Sequence, residues 1–245
     1  MKSIKLRIIA TVCIVCILCL AVCAGISYYI SYQVLQKESE KSAVFLAEKY
    51  AEELNGWFQV QGKIVDEMVN DIEHFGNFEY DYLFNYFEEK QKLNPQFICF
   101  YIGFTDKTNI FGDGWIPPDG YDCTTRDWYY VPFDNKKLSF TAPYLDATTG
   151  KMIISIGKPV NKDGELIGVV AADIYLDYLT EIVQNVKTAE GSYGFLLDND
   201  KNIVVHPEES FKPTEDELFN LFSVQDGIYK DIEQKTLAGT KAIGI

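Results

Sequence analysis

The chain has 245 residues, a formal net charge of −14 and 47% hydrophobic residues. Its first seven residues are basic, through Lys2, Lys5 and Arg7, so the negative charge belongs to the rest of the chain. An acidic surface repels nucleic acid and anionic lipid, and we expect no nucleic-acid partner. The part after residue 36 is long enough for one large or two small domains.

An uncharged run occupies residues 8–36, and its first part, 8–30, is apolar. A bilayer core needs about 20 apolar helical residues, and tyrosines at the end of this run suit the far interface. A cleaved signal peptide is the alternative, but the run exceeds the usual apolar length of about 7–15 residues and no cleavage site is evident. We therefore predict a transmembrane helix that contacts lipid through 8–30, with residues 1–7 cytoplasmic and the remainder outside the cytoplasm.

A long amphipathic helix is predicted over residues 31–78. Apolar residues recur in steps of three and four from 45 to 75, and Gly76-Asn77 is a typical helix stop. Part of the apolar stripe is expected to form the seam of a homodimer. A second helix is predicted over 80–93, because Pro95 follows it.

After Pro95 the apolar period becomes that of strands. The pattern predicts a five-stranded antiparallel sheet interrupted by a long loop at 112–137, and loops of this length usually carry function. A helix over 177–187 and a hairpin that begins a second α+β unit follow. The predicted sheet strands are 97–104, 107–111, 138–143, 152–160 and 165–173, and the hairpin strands are 193–197 and 202–205.

One guanidinium among aromatic side chains stands in the predicted loop. Arg126 can hold a carboxylate bidentately, assisted by the indole N–H of Trp128 and the hydroxyl of Tyr121. A free amino acid also carries an ammonium, which Asp173 can neutralise with Tyr129 beside it. Composition alone favours a surface arginine at this position.

Several of these residues have a structural alternative. Asp173 is equally well explained as the N-cap of the following helix, and Asp146 as a turn-former before Thr148-Thr149-Gly150. Trp115 is predicted either as a lid or as a rigid prop of the loop. These alternatives stay open at the level of sequence.

The cysteines and histidines favour neither a metal site nor catalysis. Four of the six cysteines lie inside the predicted span, where cysteine behaves as a small hydrophobe. Cys99 and Cys123 could form a disulfide, but a buried free thiol at Cys99 is preferred. His74 and His206 are far apart, and no catalytic motif accompanies them. The interpretation is a binding protein, not an enzyme, without a cofactor or metal.

The order of these parts, with Arg126-Asp127-Trp128-Tyr129, the run from Gly168 to Asp173 and the run from Ser192 to Asp198, resembles the double-Cache extracellular sensor domains of bacterial chemoreceptors and sensor kinases. The resemblance covers the whole chain. It implies an α+β fold with two PAS-like modules that contain antiparallel sheets. Residues 79–187 would form the membrane-distal, ligand-binding module, and 188–245 the incomplete start of the membrane-proximal one.

The amino-acid-binding members of that family share a motif that implies a specific set of ligand-binding residues. Cys123 and Asp127 depart from the motif, where proline is often found, which affects the rigidity of the loop more than binding. The resemblance also implies a methyl-accepting chemotaxis protein; a sensor histidine kinase, a diguanylate cyclase or a binding protein without signalling is the alternative. The implied ligand-binding residues are Tyr121, Arg126, Trp128, Tyr129, Tyr144, Asp146 and Asp173.

Overall fold

The computed structural model describes residues 2–146, 149–187, 190–198, 200–211, 213, 219–221 and 223. Compact packing divides the chain into two units, Met1–Glu48 and Lys49–Ile245. The helices are α1 (Lys2–Phe75), α2 (Tyr80–Leu93), α3 (Asp127–Asn135) and α4 (Asp177–Gln184), with 3-10 turns at Cys123–Thr125 and Glu209–Phe211. The strands are β1 (Phe97–Phe104), β2 (Asn109–Phe111), β3 (Ser139–Phe140), β4 (Tyr144–Leu145), β5 (Met152–Lys162), β6 (Glu165–Tyr175), β7 (Leu196–Leu197) and β8 (Ile203–Val205).

The first unit consists of the N-terminal part of α1. Its described apolar side chains are exposed, apart from the half-buried Leu46, and by length and composition this helix can cross a membrane. α1 ends at Phe75 because Gly76 adopts a left-handed conformation, with φ of 63°, and closes the last turn by donating its N–H to the Ile72 carbonyl. The helix therefore ends at the predicted stop, Gly76-Asn77, and its last residue lies three positions before the predicted bound at 78.

The second unit is organised around a six-stranded sheet in the order β2-β1-β6-β5-β3, with β4 also paired to β5. All pairings are antiparallel. β5 and β6 form a hairpin whose turn residues Asp163 and Gly164 have φ of 53° and 83°. Two successive positive φ angles give a turn whose twist matches that of the strands, which explains the Asp-Gly pair.

Alternate residues of the strands face two different layers. On one face, Phe100, Val170 and Ala172 pack against α1 and α2 in the main apolar core. On the other face, Tyr101, Val169 and Ala171 pack against α3 and the turn before it. This period-two alternation places the core and a second, more aromatic layer on opposite sides of the same strands.

Two glycines let α3 lie directly on the sheet. A Cβ at Gly103 would approach the Trp128 ring to 2.8 Å, and a Cβ at Gly157 would approach the Trp128 carbonyl oxygen to 2.8 Å. Proline at position 132 has no N–H to donate to that carbonyl, which therefore turns towards the sheet. The close approach of α3 fixes the position of Trp128.

Apart from shifts of a few residues at strand ends, the structure differs from the predicted elements in three places. The predicted loop 112–137 contains α3, which sequence patterns miss because Pro132 interrupts a short helix. The sheet has six strands because the predicted strand 138–143 is replaced by two short strands, β3 and β4. α4 ends at Gln184, before the predicted end at 187.

The start of the predicted second module packs on the first. β7 and β8 form a two-stranded sheet, and Val204 and Val205 lie in one apolar cluster with Leu54 of α1 and Leu179 of α4. Residues 235–245, whose sequence predicts the approach to a further strand, lie outside the described residues.

Candidate functional site

A cavity of about 270 Å³ opens on the α3 face of the sheet. Small-molecule sites commonly begin near this size. Its walls come from β1, β2, the turn and helix of the 112–137 segment, β4 and β6. Six of the seven predicted ligand-binding residues line it, namely Tyr121, Arg126, Trp128, Tyr144, Asp146 and Asp173.

Asp122 fixes the turn that carries Arg126. Its carboxylate accepts hydrogen bonds from the backbone N–H and hydroxyl of Thr124, at 3.0 and 2.6 Å. It also forms an ion pair with the ammonium of Lys107 at 2.7 Å. These interactions lower the pKa of Asp122 to about 2, and the hydrogen bond with Lys107 contributes most to that shift. The carboxylate is therefore ionised at neutral pH and holds the turn against the β1–β2 hairpin.

Arg126 stands between this turn and α3. Its backbone N–H bonds to the Cys123 carbonyl at 3.1 Å, and its guanidinium lies 5.1 Å from the centre of the Tyr121 ring. Burial raises the pKa of Tyr121, while hydrogen bonding by Trp128 and Arg126 opposes that shift. Within the described part of the chain, no carboxylate lies within ion-pair distance of Arg126. Its charge is available to an anionic group in the cavity.

Asp173 lies on β6, directly opposite Ser155 of β5. One carboxylate oxygen, Oδ1, accepts hydrogen bonds from the hydroxyls of Tyr101 and Ser155, both at 2.5 Å. Burial raises the pKa of Asp173 to about 7, although these two donors oppose the shift. The alternative role as a helix N-cap is wrong, because Leu176 occupies that position of α4 and no side chain caps it.

A bulge in β1 shapes the sheet beside this carboxylate. Phe97 pairs with Ile174 and Phe100 with Ala172, so Ile98 and Cys99 together face the single residue Asp173. Bulges redirect side chains at binding sites, and both residues of the bulge line the cavity. Cys99 and Cys123 are buried free thiols, as preferred for Cys99.

Tyr144 and Asp146 reach the cavity from β4 and its end. The Tyr144 hydroxyl bonds to Ser155 Oγ at 2.5 Å, which joins it to the Asp173 network. Asp146 Oδ2 accepts the N–H and hydroxyl of Thr149, at 2.9 and 2.6 Å. Asp146 thus makes the turn that the sequence suggested and also contributes a wall of the cavity.

Tyr129 is the one predicted residue that the structure does not place in the cavity. Its ring is buried and stacks on Phe133 at 5.3 Å between ring centres. Among the described residues its hydroxyl is buried without a hydrogen-bond partner. Tyr129 follows Trp128 on α3, and successive residues of a helix point about 100° apart around its axis. The two aromatic side chains therefore lie on different sides of the helix.

Other cavity residues were not in the predicted set. Tyr101 lines the cavity, and both Tyr101 and Ser155 bond to Asp173; the signal for Ser155 in the sequence is a lone serine inside the apolar run of β5. Trp115 packs edge-on against Phe111 at 4.8 Å and Tyr121 at 5.4 Å, in the manner of a fixed wall. Asp113 and Asp127 also line the cavity.

Taken together, the structure has an antiparallel sheet covered by helices, with a cavity for a small molecule on one face. The chain belongs to the Cache domain family, whose model matches residues 30–244. It is similar to the chemotaxis protein McpG of Pseudomonas putida, 34% identical over 48% of this chain and 18% of that protein. TlpB of Bacillus subtilis, also a methyl-accepting chemotaxis protein, is 30% identical over 75% of this chain and 28% of its own length.

The chain is also similar to solved structures of chemoreceptor ligand-binding domains. The ligand-binding domain of the Pseudomonas fluorescens chemoreceptor CtaA, in complex with L-serine, is 27% identical with a TM-score of 0.63. The match covers 74% of this chain and 76% of that one. The chain spans less than a fifth of the length of the first curated relatives that it matches.

Proposed function

We propose that this chain is the extracytoplasmic sensor region of a methyl-accepting chemotaxis receptor and that it binds a free L-amino acid. The observation that carries the proposal is that Arg126 and Asp173 line one cavity without forming an ion pair with each other. A zwitterion supplies the missing partner of each charge. The Asp173 carboxyl, already bonded through Oδ1, offers Oδ2 to an ammonium.

The relatives support this assignment. Structures of CtaA contain L-serine, L-valine or L-alanine, at 26–27% identity to this chain. The curated relatives reported above are methyl-accepting chemotaxis proteins, which favours that output over a sensor kinase or cyclase. In the proposed complex, Arg126 holds the ligand carboxylate with Trp128 and Tyr121, and Asp173 holds the ammonium.

The proposed topology follows from the apolar N-terminus. Residues 1–7 lie in the cytoplasm, 8–30 cross the bilayer in contact with lipid, and 31–78 connect the membrane to the ligand-binding module at 79–187. The module that begins at 188 is proposed to be the membrane-proximal one. Binding, not chemical conversion of the ligand, is the proposed activity.

A calorimetric screen tests the binding. The intact chain in lipid nanodiscs is titrated with the proteinogenic L-amino acids, and at least one should bind. Arg126→Ala should lower the affinity by about 30-fold or more, because a desolvated charge loses its partner. Lys137→Ala, an exposed cation outside the cavity, is the matched control and should bind normally. Absence of heat with every amino acid, or equal affinity in Arg126→Ala, contradicts the proposal.

Signal transmission through a homodimer is proposed for the part of α1 that leaves the membrane. Its exposed apolar residues, such as Val44 and Phe45, favour contact with a second copy. Single cysteines placed along 34–50 in an otherwise cysteine-free chain should crosslink with helical periodicity in membranes. A flat crosslinking profile contradicts dimerisation through this segment.

A further inference from the structure

The charges that line the cavity are unequal in number. Among the described residues that line it are four carboxylates, those of Asp113, Asp127, Asp146 and Asp173, and one basic group, the guanidinium of Arg126. The carboxylate and ammonium of a neutral amino acid would partner only Arg126 and one aspartate. The cavity would then keep an excess of negative charge that such a ligand does not use.

Three of the carboxylates already have a role. Asp173 is assigned to the ligand ammonium, and Asp146 accepts two hydrogen bonds from Thr149. Asp127 lies in the first turn of α3, where the helix dipole favours a negative charge. Among the described residues Asp113 accepts one hydrogen bond, from the backbone N–H of Trp115, and neither the ligand's α-ammonium nor a helix dipole is assigned to it.

Asp113 stands two residues after β2 and is held in a defined orientation. Its Oδ1 accepts the backbone N–H of Trp115 at 3.0 Å. It lies on the same side of the cavity as Cys99, because the N–H of the preceding residue, Gly112, bonds to the Phe100 carbonyl at 2.9 Å and continues the β1–β2 pairing towards Cys99. Cys99 belongs to the bulge that faces Asp173 across the β1–β6 pair. Asp113 and Asp173 are therefore neighbours on one side of the site.

We propose that the cavity prefers ligands that carry a second positive charge and that Asp113 is the residue that recognises it. This inference rests on the proposed amino-acid-binding function. The ligand class is an α-amino acid with an ammonium or guanidinium on its side chain. Amino acids with an acidic side chain should be rejected, because they add negative charge to a cavity that already has an excess of it.

The expected preference is moderate because Asp113 is exposed in the unliganded structure. Water and salt screen such a pair, so the side-chain cation should improve affinity by about three- to tenfold. The preference should also shrink at high ionic strength, as screening becomes stronger.

L-Arginine and L-citrulline, which have nearly the same shape but differ by one charge, test the proposal. Calorimetry on the intact chain in nanodiscs should give tighter binding of L-arginine by about three- to tenfold. Asp113→Asn should reduce that ratio to near one, chiefly by weakening the binding of L-arginine. Its amide oxygen can still accept the Trp115 N–H, so the loop is preserved. Asp119→Asn, an exposed aspartate of the same loop outside the cavity, is the matched control and should keep the preference.

Equal affinity for the two ligands, or a ratio unchanged in Asp113→Asn, overturns the inference. Binding of L-alanine or another neutral amino acid without binding of L-arginine overturns it as well. These results leave the proposed function standing, because an amino acid still binds. Failure of every amino acid to bind is different, since it removes the proposed function and the inference together.

Discussion

The two faces of the six-stranded sheet are built by the same strands, yet they differ in chemistry. On the face covered by α1 and α2, Phe100 and Ala172 are fully buried among apolar side chains. On the other face, the adjacent strand positions place Tyr101 and Asp173 at a cavity with hydroxyls and charges. Successive residues of one strand therefore have different roles, because one packs in the core that stabilises the fold and the next faces the cavity.

The largest contrast should come from a neighbouring pair of substitutions. Phe100→Ala removes a fully buried ring and should lower the free energy of unfolding by about 3–5 kcal/mol. Tyr101→Phe removes only the hydroxyl bonded to Asp173 and should cost about 1 kcal/mol. Urea unfolding of the intact chain in nanodiscs measures both values.

Ligand affinity should respond in the opposite order. Tyr101→Phe alters the hydrogen bonds of Asp173 and should change amino-acid affinity, whereas folded Phe100→Ala should bind normally. If Phe100→Ala weakens binding more than Tyr101→Phe under conditions where both are folded, the two faces are not functionally separate.

A pH titration sharpens the same comparison, since burial raises the pKa of Asp173 from 3.8 to about 7. The protonated carboxyl cannot neutralise an ammonium, so affinity should rise as the pH increases through about 7. Stability should change in the other direction. In the unfolded chain Asp173 ionises near pH 3.8, whereas in the folded chain it keeps its proton up to about pH 7. The contribution of Asp173 therefore lowers the free energy of unfolding as the pH rises between these two values.

Asp173→Asn is the control for both pH effects. It should flatten the dependence of affinity near neutral pH and remove the stability loss that belongs to Asp173. Calorimetry and urea unfolding at several pH values measure the two quantities. A pH dependence of affinity that is the same in Asp173→Asn and in the unchanged chain would assign the titration to another group.

The smallest effect is expected at Tyr129. Its hydroxyl is buried without a partner among the described residues and lies outside the cavity lining. Tyr129→Phe should therefore leave amino-acid affinity unchanged and alter the free energy of unfolding by less than about 1 kcal/mol. Calorimetry and urea unfolding check both. A tenfold loss of affinity would favour the role beside the ammonium that the sequence predicts for Tyr129.

Much of the fold follows from local patterns in the sequence. The end of α1, the bounds of α2 and β1, and the β5–β6 turn depend on Gly76, Pro95 and Gly164, whose backbone preferences act locally. α3 was missed because a short helix with an internal proline is favoured by its packing on the sheet, through Gly103 and Gly157, and not by its own propensity.

The candidate site was predictable in part. Arg126 and Asp173 were indicated by chemistry, because a zwitterion needs one charge of each sign. Asp113 was not indicated, since the position of its carboxylate depends on a turn after β2 and on the bulge in β1. Side-chain direction on α3 also decides that Trp128 faces the cavity and Tyr129 does not.

The most direct measurement compares one amino acid with its two blocked forms on the intact chain. The best ligand of the calorimetric screen is titrated alongside its N-acetyl derivative and its carboxamide. If Arg126 and Asp173 bind the two charges of one zwitterion, each blocked form should lose about 30-fold or more in affinity. Equal affinity of the free amino acid and both blocked forms would contradict a site built from these two charges.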